Sequence, residues 1–506
     1  MRKSPLRELF RIIVAAAVSG LLVGCALGPD FHRPPPPEAK TYMAGTQSSE
    51  TVGAGGPGGS PQHFDPGMDI PAQWWSLFHS ASLDRLVRLV LDDSPTLAQA
   101  RARLKQAQED LKARTGATQY PAVDAKLSVT PQQVDLASFG VTGIPNPGPF
   151  TLYNASVSLS YTLDLFGGNR RTLEGLKAKV DYEGFELEAA RQTLAANVVS
   201  AAIRQASLRY RIAILQDLLA AQSQQFSITE ERYQSGGVSL LDVQNQSLLL
   251  NQTRASLPPL EKELAQVNDQ LAVYLGREPA EAEVDAFDLN SLHLPEALPL
   301  SLPSSLARQR PDIRAAEALW HQASANVGVA TANLFPQITL SASFGSQRTN
   351  TGDILSGMNV WNIAANLMQP VFHGGELWAR KRSAVAAYDE AVAAYRQTVL
   401  QGLQEVADTL YALDTDARTL KARADAAGHA RTGYEIAQQQ YRLGGISHLA
   451  LLDAQRQLLQ TESDRVKAQA DRYADTAALL HALGGGWWHP ASGNASADPT
   501  STPETQ

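Results

Sequence analysis

Apolar and polar residues alternate strictly over one long segment of this chain. Every odd position from Tyr153 to Leu165 is apolar, and every even position from Asn154 to Asp164 is polar. A period of two predicts a β-strand with one apolar and one polar face. The segment is longer than the roughly 9–11 residues that a tilted strand needs to cross a bilayer. It is therefore a candidate membrane-spanning strand.

Three further segments alternate in the same way and complete two pairs of strands. Loops at 131–149 and 346–359, rich in Gly, Pro and Asn, join the strands of each pair. Unpaired strand edges are prohibitive in lipid, so four membrane-spanning strands require oligomerisation, giving eight strands in a dimer or twelve in a trimer. A soluble antiparallel sheet packed on a core would show the same alternation. The apolar positions of these segments are Val123, Ala125, Leu127, Val129, Ile338, Leu340, Ala342, Phe344, Trp361, Ile363, Ala365 and Leu367.

A second period runs through two long stretches without proline, residues 150–257 and 371–489. From Leu194 to Phe226 mostly apolar residues recur at alternating spacings of four and three, and the stretch starting at Val399 repeats this pattern. A 3.5-residue period is typical of coiled coils. A continuous helix over 170–235 would be about 100 Å long at 1.5 Å per residue. A bundle of ordinary kinked helices is the alternative, since glycines interrupt both stretches.

Each long helical stretch ends at two glycines and is followed by a serine. Gly236 can adopt the left-handed conformation that terminates a helix. Ser239 can then cap the next helix, with Asp242 as its capping-box partner. Ser447 occupies the matching position in the second stretch, where Ala450 provides no box. The pattern predicts two helical hairpins with tight tips.

The same short motifs occur twice, about 210 residues apart. Tyr120-Pro121 recurs as Phe335-Pro336, and Phe166-Gly167-Gly168 recurs as Phe372-His373-Gly374-Gly375. This spacing predicts an internal duplication of domain size rather than a short solenoid repeat. We place the first repeat at 74–300 and the second at 301–488.

The N-terminus has the features of a bacterial lipoprotein precursor. Basic residues precede a twelve-residue apolar run, which predicts a signal peptide over 1–24. The following Leu22-Val23-Gly24-Cys25 resembles a lipobox, and Cys25 is the only cysteine of the chain. Residues 25–73, rich in Pro and Gly, are then predicted to be a lipid-anchored tether. A tail over 489–506, rich in Ser, Thr and Pro, is predicted to be disordered.

Composition excludes several other classes of protein. The net charge of −8 argues against a nucleic-acid binder, and a single cysteine excludes a disulfide framework or a cysteine zinc site. The mean hydropathy of −0.21 and the lack of an 18-residue apolar run argue against a helical membrane transporter. No hydrolase, metalloprotease or nucleotide-binding motif is present, so we expect no enzymatic activity, no metal and no cofactor beyond the lipid on Cys25.

Together these features resemble the TolC-like outer-membrane efflux ducts, specifically their nodulation-T lipoprotein branch. The resemblance implies a mixed, mainly helical protomer of a homotrimer in the outer membrane. Four strands per chain would form a 12-stranded β-barrel, above a long coiled-coil α-barrel in the periplasm. It also implies a periplasmic adaptor and an inner-membrane RND-type pump as partners. The motifs that carry it are Cys25, Gly28-Pro29-Asp30-Phe31, Trp74-Trp75-x-x-Phe78, Tyr120-Pro121, Leu163-Asp164-Leu165-Phe166-Gly167-Gly168, Tyr441-x-x-Gly444, Leu452-Asp453-Ala454-Gln455-Arg456 and Ala482-Leu483-Gly484-Gly485-Gly486-Trp487.

The resemblance also assigns residues to two sites at the hairpin tips. The family's closed end pairs an acidic residue with a Tyr and an Arg, and here Ile446 replaces the Arg while Ala450 replaces one constriction carboxylate. We therefore expect a looser latch and a more apolar constriction. The adaptor-docking tips would be Gly236, Gly237, Val238, Gly444, Gly445 and Ile446, and the aperture would comprise Asp242, Tyr441, Ile446 and Asp453.

Three alternatives remain open from the sequence. The duct could serve type I protein secretion instead of exporting drugs or toxic organic compounds. The chain could also be a coiled-coil periplasmic lipoprotein without a channel. Finally, its acidic residues could line the lumen and favour cations, or could simply lie on a solvated exterior in i,i+4 pairs.

Replacing Ile446 with Asp should raise the leak of large antibiotics into cells that lack a pump. The added carboxylates would repel one another across the narrow aperture and open it. Antibiotic susceptibility of a pump-deficient strain measures this leak. An unchanged susceptibility would place the constriction elsewhere.

Overall fold

The structure is a computed structural model that describes residues 26–43, 48–140, 143–354 and 356–489. The predicted signal peptide, the lipidation residue Cys25 and residues 490–506 of the predicted tail lie outside the described residues.

The order helix, helix, strand, strand, long helix, helix occurs twice along the described chain. This order confirms the internal duplication, and the long helices of the two copies are identical in length, at 67 and 35 residues. The boundaries of the repeats at 74–300 and 301–488 stay predictions. The first copy contains α1 (Ala81–Asp93), α2 (Pro95–Gln119), β2 (Ala122–Gln132), β3 (Phe150–Leu163), α3 (Gly168–Gln234) and α4 (Leu240–Tyr274). The second contains α5 (Pro303–Gln309), α6 (Pro311–Ala332), β5 (Gln337–Arg348), β6 (Val360–Met368), α7 (Glu376–Arg442) and α8 (His448–Ala482).

Two compact units divide the chain, and each is built from separate segments. Among the described residues, the first comprises 26–34 with Arg103–Glu183 and Ala316–Tyr395. The second comprises Pro35–Ala102, Gly184–Ala315 and 396–489. Within the second unit, β1 (His63–Asp65) and β4 (Ala297–Pro299) form a small parallel sheet.

The four predicted strands are confirmed and form one antiparallel sheet in the first unit. Their order is β2-β3-β5-β6, so β2 and β6 are its edges. The central pair joins the two repeats, with Tyr161 opposite Leu340 and Leu163 opposite Ile338. This register keeps residues of one kind on each face, because side chains alternate along a strand.

The two faces of this sheet differ sharply in polarity. The polar face is mainly hydroxyl and amide groups, with Asp124 and Lys126 as its charged members. The apolar residues of one face are Val123, Ala125, Leu127, Val129, Tyr153, Ala155, Val157, Leu159, Tyr161, Leu163, Ile338, Leu340, Ala342, Phe344, Trp361, Ile363, Ala365 and Leu367, and the register adds Pro131, Thr151, Ser346 and Arg348 at one end of this face. The polar residues of the other face are Asp124, Lys126, Ser128, Thr130, Gln132, Asn154, Ser156, Ser158, Ser160, Thr162, Gln337, Thr339, Ser341, Ser343, Gln347, Asn362 and Asn366, and the register also places Phe150, Leu152, Gly345, Val360, Ala364 and Met368 on it.

The long helices are continuous, as the coiled-coil period predicted. α3 and α7 each run for 67 residues, about 100 Å at 1.5 Å per residue. Most positions of the stripe that starts at Val399 on α7 are buried as the period requires, and buried residues continue along the helix to Ala427 and Ala437. None of the helices in the described ranges combines the length and the apolar character that a bilayer crossing requires.

One helix continues where its sequence favours a break. α4 passes through Pro258 and Pro259, although proline removes a backbone hydrogen bond and crowds the preceding turn. Residues on both sides of the prolines, Thr253 and Val267 among them, are buried within the second unit, to which α4 belongs. Tertiary packing therefore overrides the local preference here.

A polypeptide strap over residues 51–62 encloses one buried arginine of α8. The predicted tether is irregular in this part, as expected, but it is packed. Arg472 has no exposed surface and donates hydrogen bonds to four oxygens at 2.9–3.3 Å. The acceptors are the Thr51 hydroxyl, the Gln62 side-chain amide and the carbonyls of Gly58 and Ser60. An arginine with five donors suits such a set of neutral acceptors.

Replacing Arg472 with Met should detach this strap. The change leaves buried oxygens without donors, each costing about 1–3 kcal/mol, so we expect a loss of about 3 kcal/mol or more. Limited proteolysis between residues 48 and 62, together with thermal unfolding, measures the effect. Lys467→Met, on the same helix but exposed, is the control. Equal protease resistance in both variants would contradict the prediction.

Candidate functional site

The residues that follow Cys25 are fastened within the first unit. Leu27 donates its backbone N–H to the carbonyl of Phe166 at 3.2 Å. Ala26 lies so close to Gly167 that a side chain at position 167 would overlap it. Gly28 similarly meets Gly328 backbone to backbone, with φ of +100° at Gly28. Space requires glycine at all three positions, and the positive φ of Gly28 and Gly167 requires it there as well.

Arg171 holds this N-terminal segment by its side chain. Its guanidinium is buried and donates to the carbonyls of Leu27 and Gly28 at 3.2 and 3.4 Å. It also pairs with Asp30 at 2.6 Å and with Glu174 at 2.8 Å. The forked geometry of arginine allows all these bonds at once, which a lysine could not reproduce.

Aromatic contacts complete the attachment of the Gly28-Pro29-Asp30-Phe31 motif. Phe31 stacks on His321 with ring centroids 4.4 Å apart and meets Trp320 edge-on at 5.6 Å. His321 in turn contacts Glu174 at 2.9 Å. We call residues 26–33 with their partners the N-terminal clamp. The sequence pointed to the motif but not to Arg171 or His321, which lie far away along the chain.

The first hairpin tip has the geometry that the glycine pair predicted. Gly236, with φ of +78°, donates to the Tyr233 carbonyl at 2.9 Å, and Gly237 donates to the Arg232 carbonyl at 2.7 Å. This pair of bonds is a Schellman motif. The predicted capping box between Ser239 and Asp242 is also present.

The second tip repeats this geometry. Gly444, with φ of +72°, donates to Tyr441 at 3.0 Å, and Gly445 donates to Gln440 at 2.8 Å. Ser447 caps α8 through the amide of Ala450, without a box, as predicted. Both tips also expose apolar side chains, which a partner could cover. These are Leu240, Leu241, Leu443 and Leu449.

The predicted aperture residues have separate partners within the described protomer. The Asp242 carboxylate accepts hydrogen bonds from the amide and hydroxyl of Ser239 at 3.0 and 2.7 Å, which lower its pKa. Asp453 pairs with Arg456 at 2.7 Å, one helical turn away. Each carboxylate thus bonds to a residue in or at the start of its own helix, and the aperture role of Asp242 and Asp453 stays a prediction.

Tyr441 and Ile446 lie beside a residue that the sequence reading missed. The ring of His448 meets that of Tyr441 edge-on at 4.8 Å. Burial and the positive charge of Arg232 lower the pKa of His448, so the imidazole is neutral at pH 7. The signal in the sequence that could have identified His448 is its position directly after Ser447, the predicted cap. Ile446 is half-buried, and its place in an apolar constriction stays a prediction.

No three carboxylate, imidazole or thiol groups within the described ranges lie together in a way that would hold a metal ion.

The sequence matches a known family twice. Residues 86–277 and 302–485 each match the profile described as "Outer membrane efflux protein". The chain belongs to this family.

Relatives agree with this membership. The pyoverdine export outer membrane protein OpmQ of Pseudomonas putida is 30% identical over 454 residues, covering 87% of this chain and 94% of OpmQ. The probable outer membrane lipoprotein SilC of Salmonella typhimurium is 27% identical, covering 92% of this chain and 97% of SilC. The solved structure of the outer-membrane channel OprN is 28% identical and aligns with a TM-score of 0.79, over 92% of this chain and all of OprN. The expected resemblance to outer-membrane efflux ducts is thereby confirmed.

A pair of carboxyl groups joins the helices of the second hairpin in this outer membrane efflux protein. The carboxyl of Asp416 on α7 faces that of Asp475 on α8 closely enough for a proton on one of them to be shared by the pair. Burial, that shared proton and the charges of Asp475 and Asp471 raise the pKa of Asp416 to about 7. No local sequence pattern points to this pair, because its members lie on different helices.

This pair predicts that stability falls as pH rises. Between about pH 4 and 7 the folded chain retains a proton at Asp416 that the unfolded chain releases, so folding is favoured at the acidic end. Asp416→Asn should raise the unfolding free energy at pH 8 by on the order of 1 kcal/mol, discounted for solvent screening. Thermal unfolding at pH 5 and pH 8 measures it.

The matched control is Asp414→Asn, an exposed aspartate on the same helix that pairs with Arg418. It should leave the pH dependence of the parent chain unchanged. Identical pH profiles for parent and Asp416→Asn would show that this carboxyl does not carry the effect.

Proposed function

We propose that this chain is one protomer of a trimeric outer-membrane exit duct that passively conducts small molecules in a tripartite efflux system. One observation carries the proposal. This chain, a member of the outer membrane efflux family, has a four-stranded sheet with one apolar face, one polar face and two free edges. Such a sheet is not stable alone in lipid, and it is suited to closing with further copies of itself.

Three copies would supply twelve strands, above the eight at which bacterial barrels begin. Edge strand β6 of each protomer would pair with edge strand β2 of the next. The apolar face would then meet lipid, and the polar face would line a water-filled channel. A trimer is also the state that the resemblance implies.

The polar face of the sheet suggests that the part of the channel lined by the strands is weakly charged. Its described strands carry hydroxyl and amide groups, with Asp124 and Lys126 offsetting each other two residues apart on β2. Neutral hydrogen-bonding groups suit hydrated solutes of varied charge. A cation-selective lumen would therefore need acidic residues elsewhere along the duct.

A lipid on Cys25 belongs to the same proposal. SilC is named a probable lipoprotein, and the lipobox here ends at the only cysteine of the chain. The N-terminal clamp fixes Ala26, the next residue, beside Phe166 and Gly167, where β3 gives way to α3. A lipid anchor starting there would begin at the end of the proposed membrane strand.

The hairpin tips support a periplasmic adaptor as the partner that links the duct to an inner-membrane RND-type pump. Small glycines permit close approach of another backbone, and the exposed leucines beside them offer apolar surface. The relative OpmQ is named a pyoverdine export protein, and this favours the export of small molecules over protein secretion. No step of this passive role requires enzymatic chemistry.

Lysine placed on either face of β3 tests the proposal. Val157→Lys puts a charge on the apolar face at mid-strand, where lipid exposure costs about 2–4 kcal/mol, so assembled trimer should be strongly reduced. Ser158→Lys, the adjacent residue, should assemble normally and shift ion selectivity toward anions. Native mass spectrometry of detergent extracts and planar-bilayer recordings give the two readouts.

Equal assembly of both variants would mean that the apolar face does not meet lipid. In that case a coiled-coil lipoprotein without a channel would replace the duct.

A further inference from the structure

An aromatic pair marks the place where the two repeats meet within one chain. Phe166 follows β3, and Phe335 precedes β5, the neighbouring strand. Their rings stack with centroids 4.9 Å apart and an angle of 27°. The pair therefore closes the end of the β3–β5 junction.

The duplication supplies a second copy of each partner. Tyr120-Pro121 stands before β2 as Phe335-Pro336 stands before β5, in each case with the aromatic ring two residues ahead of the strand. Phe372 follows β6 in the second Phe-Gly-Gly type motif. Each ring of the pair thus has a counterpart in the other repeat: Phe372 corresponds to Phe166, and Tyr120 corresponds to Phe335.

The second pair is not formed within the chain. Tyr120 adjoins one edge strand and Phe372 adjoins the other, so they stand at opposite edges of the four-stranded sheet with β3 and β5 between those edges. Phe372 is 86% exposed and Tyr120 is 67% exposed, whereas Phe335 is 37% exposed. The neighbouring Val371 is 91% exposed as well. Large apolar side chains clustered at a free sheet edge indicate a missing partner.

We propose that Phe372 of one protomer packs against Tyr120 of the next copy of this chain. The contact repeats between chains the Phe166–Phe335 junction within a chain, so each β6–β2 seam is closed as the β3–β5 seam is. The inference rests on the proposed trimeric duct and adds to it the residues that close each seam.

A second copy suits this surface better than lipid does. The equivalent rings inside the chain contact protein, and the adjoining edge strands need partners for their backbone groups. The link from Phe372 to α7 is longer than that from Phe166 to α3, by two residues. The longer link and the exposure of Phe372 leave its ring available to a neighbouring copy.

Cysteine cross-linking tests the contact directly in the full-length chain, whose only native cysteine is Cys25. Tyr120→Cys combined with Phe372→Cys should give covalent dimers and trimers with a short thiol-specific cross-linker. Each single variant and the parent chain should remain monomeric on denaturing gels. Phe166→Cys with Phe335→Cys is the matched control, and its cross-link should stay within one chain.

Alanine variants supply the second measurement, the heat dissociation temperature of the trimer. If the rings touch, Tyr120→Ala and Phe372→Ala should each lower it, and the double variant should be little worse than either single one. Trp361→Ala, an exposed aromatic on the apolar face, should instead add to Tyr120→Ala.

The outcomes separate the two proposals. Intermolecular cross-links together with coupled alanine effects support the contact. Intact trimers without the cross-link, or with additive effects as for two rings in lipid, overturn the contact and leave the duct standing. A chain that forms no trimer in any variant overturns the proposed function itself.

Discussion

The free edges of a sheet with one apolar face constrain this molecule more than any other feature. Each unpaired N–H and C=O group on β2 and β6 needs a partner, and in lipid only another strand can provide one. The apolar face likewise needs lipid or protein over it. Strand pairing between copies satisfies both requirements, so assembly, membrane insertion and a continuous channel follow from the same backbone requirement.

Because the chain is duplicated, the same kind of strand junction can form between the two repeats of one chain and between two chains. The repeats nevertheless differ at their tips. The first tip has a capping box between Ser239 and Asp242, while the second lacks one and instead places His448 against Tyr441. Local helix ends therefore remain alike while the side chains available to a partner or to an aperture diverge.

Buried arginines organise the segments that have no regular structure of their own. In the first unit, Arg171 donates hydrogen bonds to the carbonyls that follow Ala26. In the second unit, Arg472 donates hydrogen bonds to carbonyls of the strap over 51–62. Irregular backbone must find hydrogen-bond donors outside itself, and a guanidinium provides several in one plane. Segments rich in Pro and Gly thereby become fixed parts of the structure.

The sequence by itself determined the elements of this protein. Alternation predicted the four strands, the 3.5-residue period predicted two long helices, and the glycine pairs predicted both tips, because these signals are local. The structure then gave each long helix its length of 67 residues. Only the tertiary structure decided contacts between distant residues. The bonds of Arg171 to Leu27, the pairing of Asp416 with Asp475 and the passage of α4 through Pro258 depend on surroundings supplied by other segments, which no local pattern encodes.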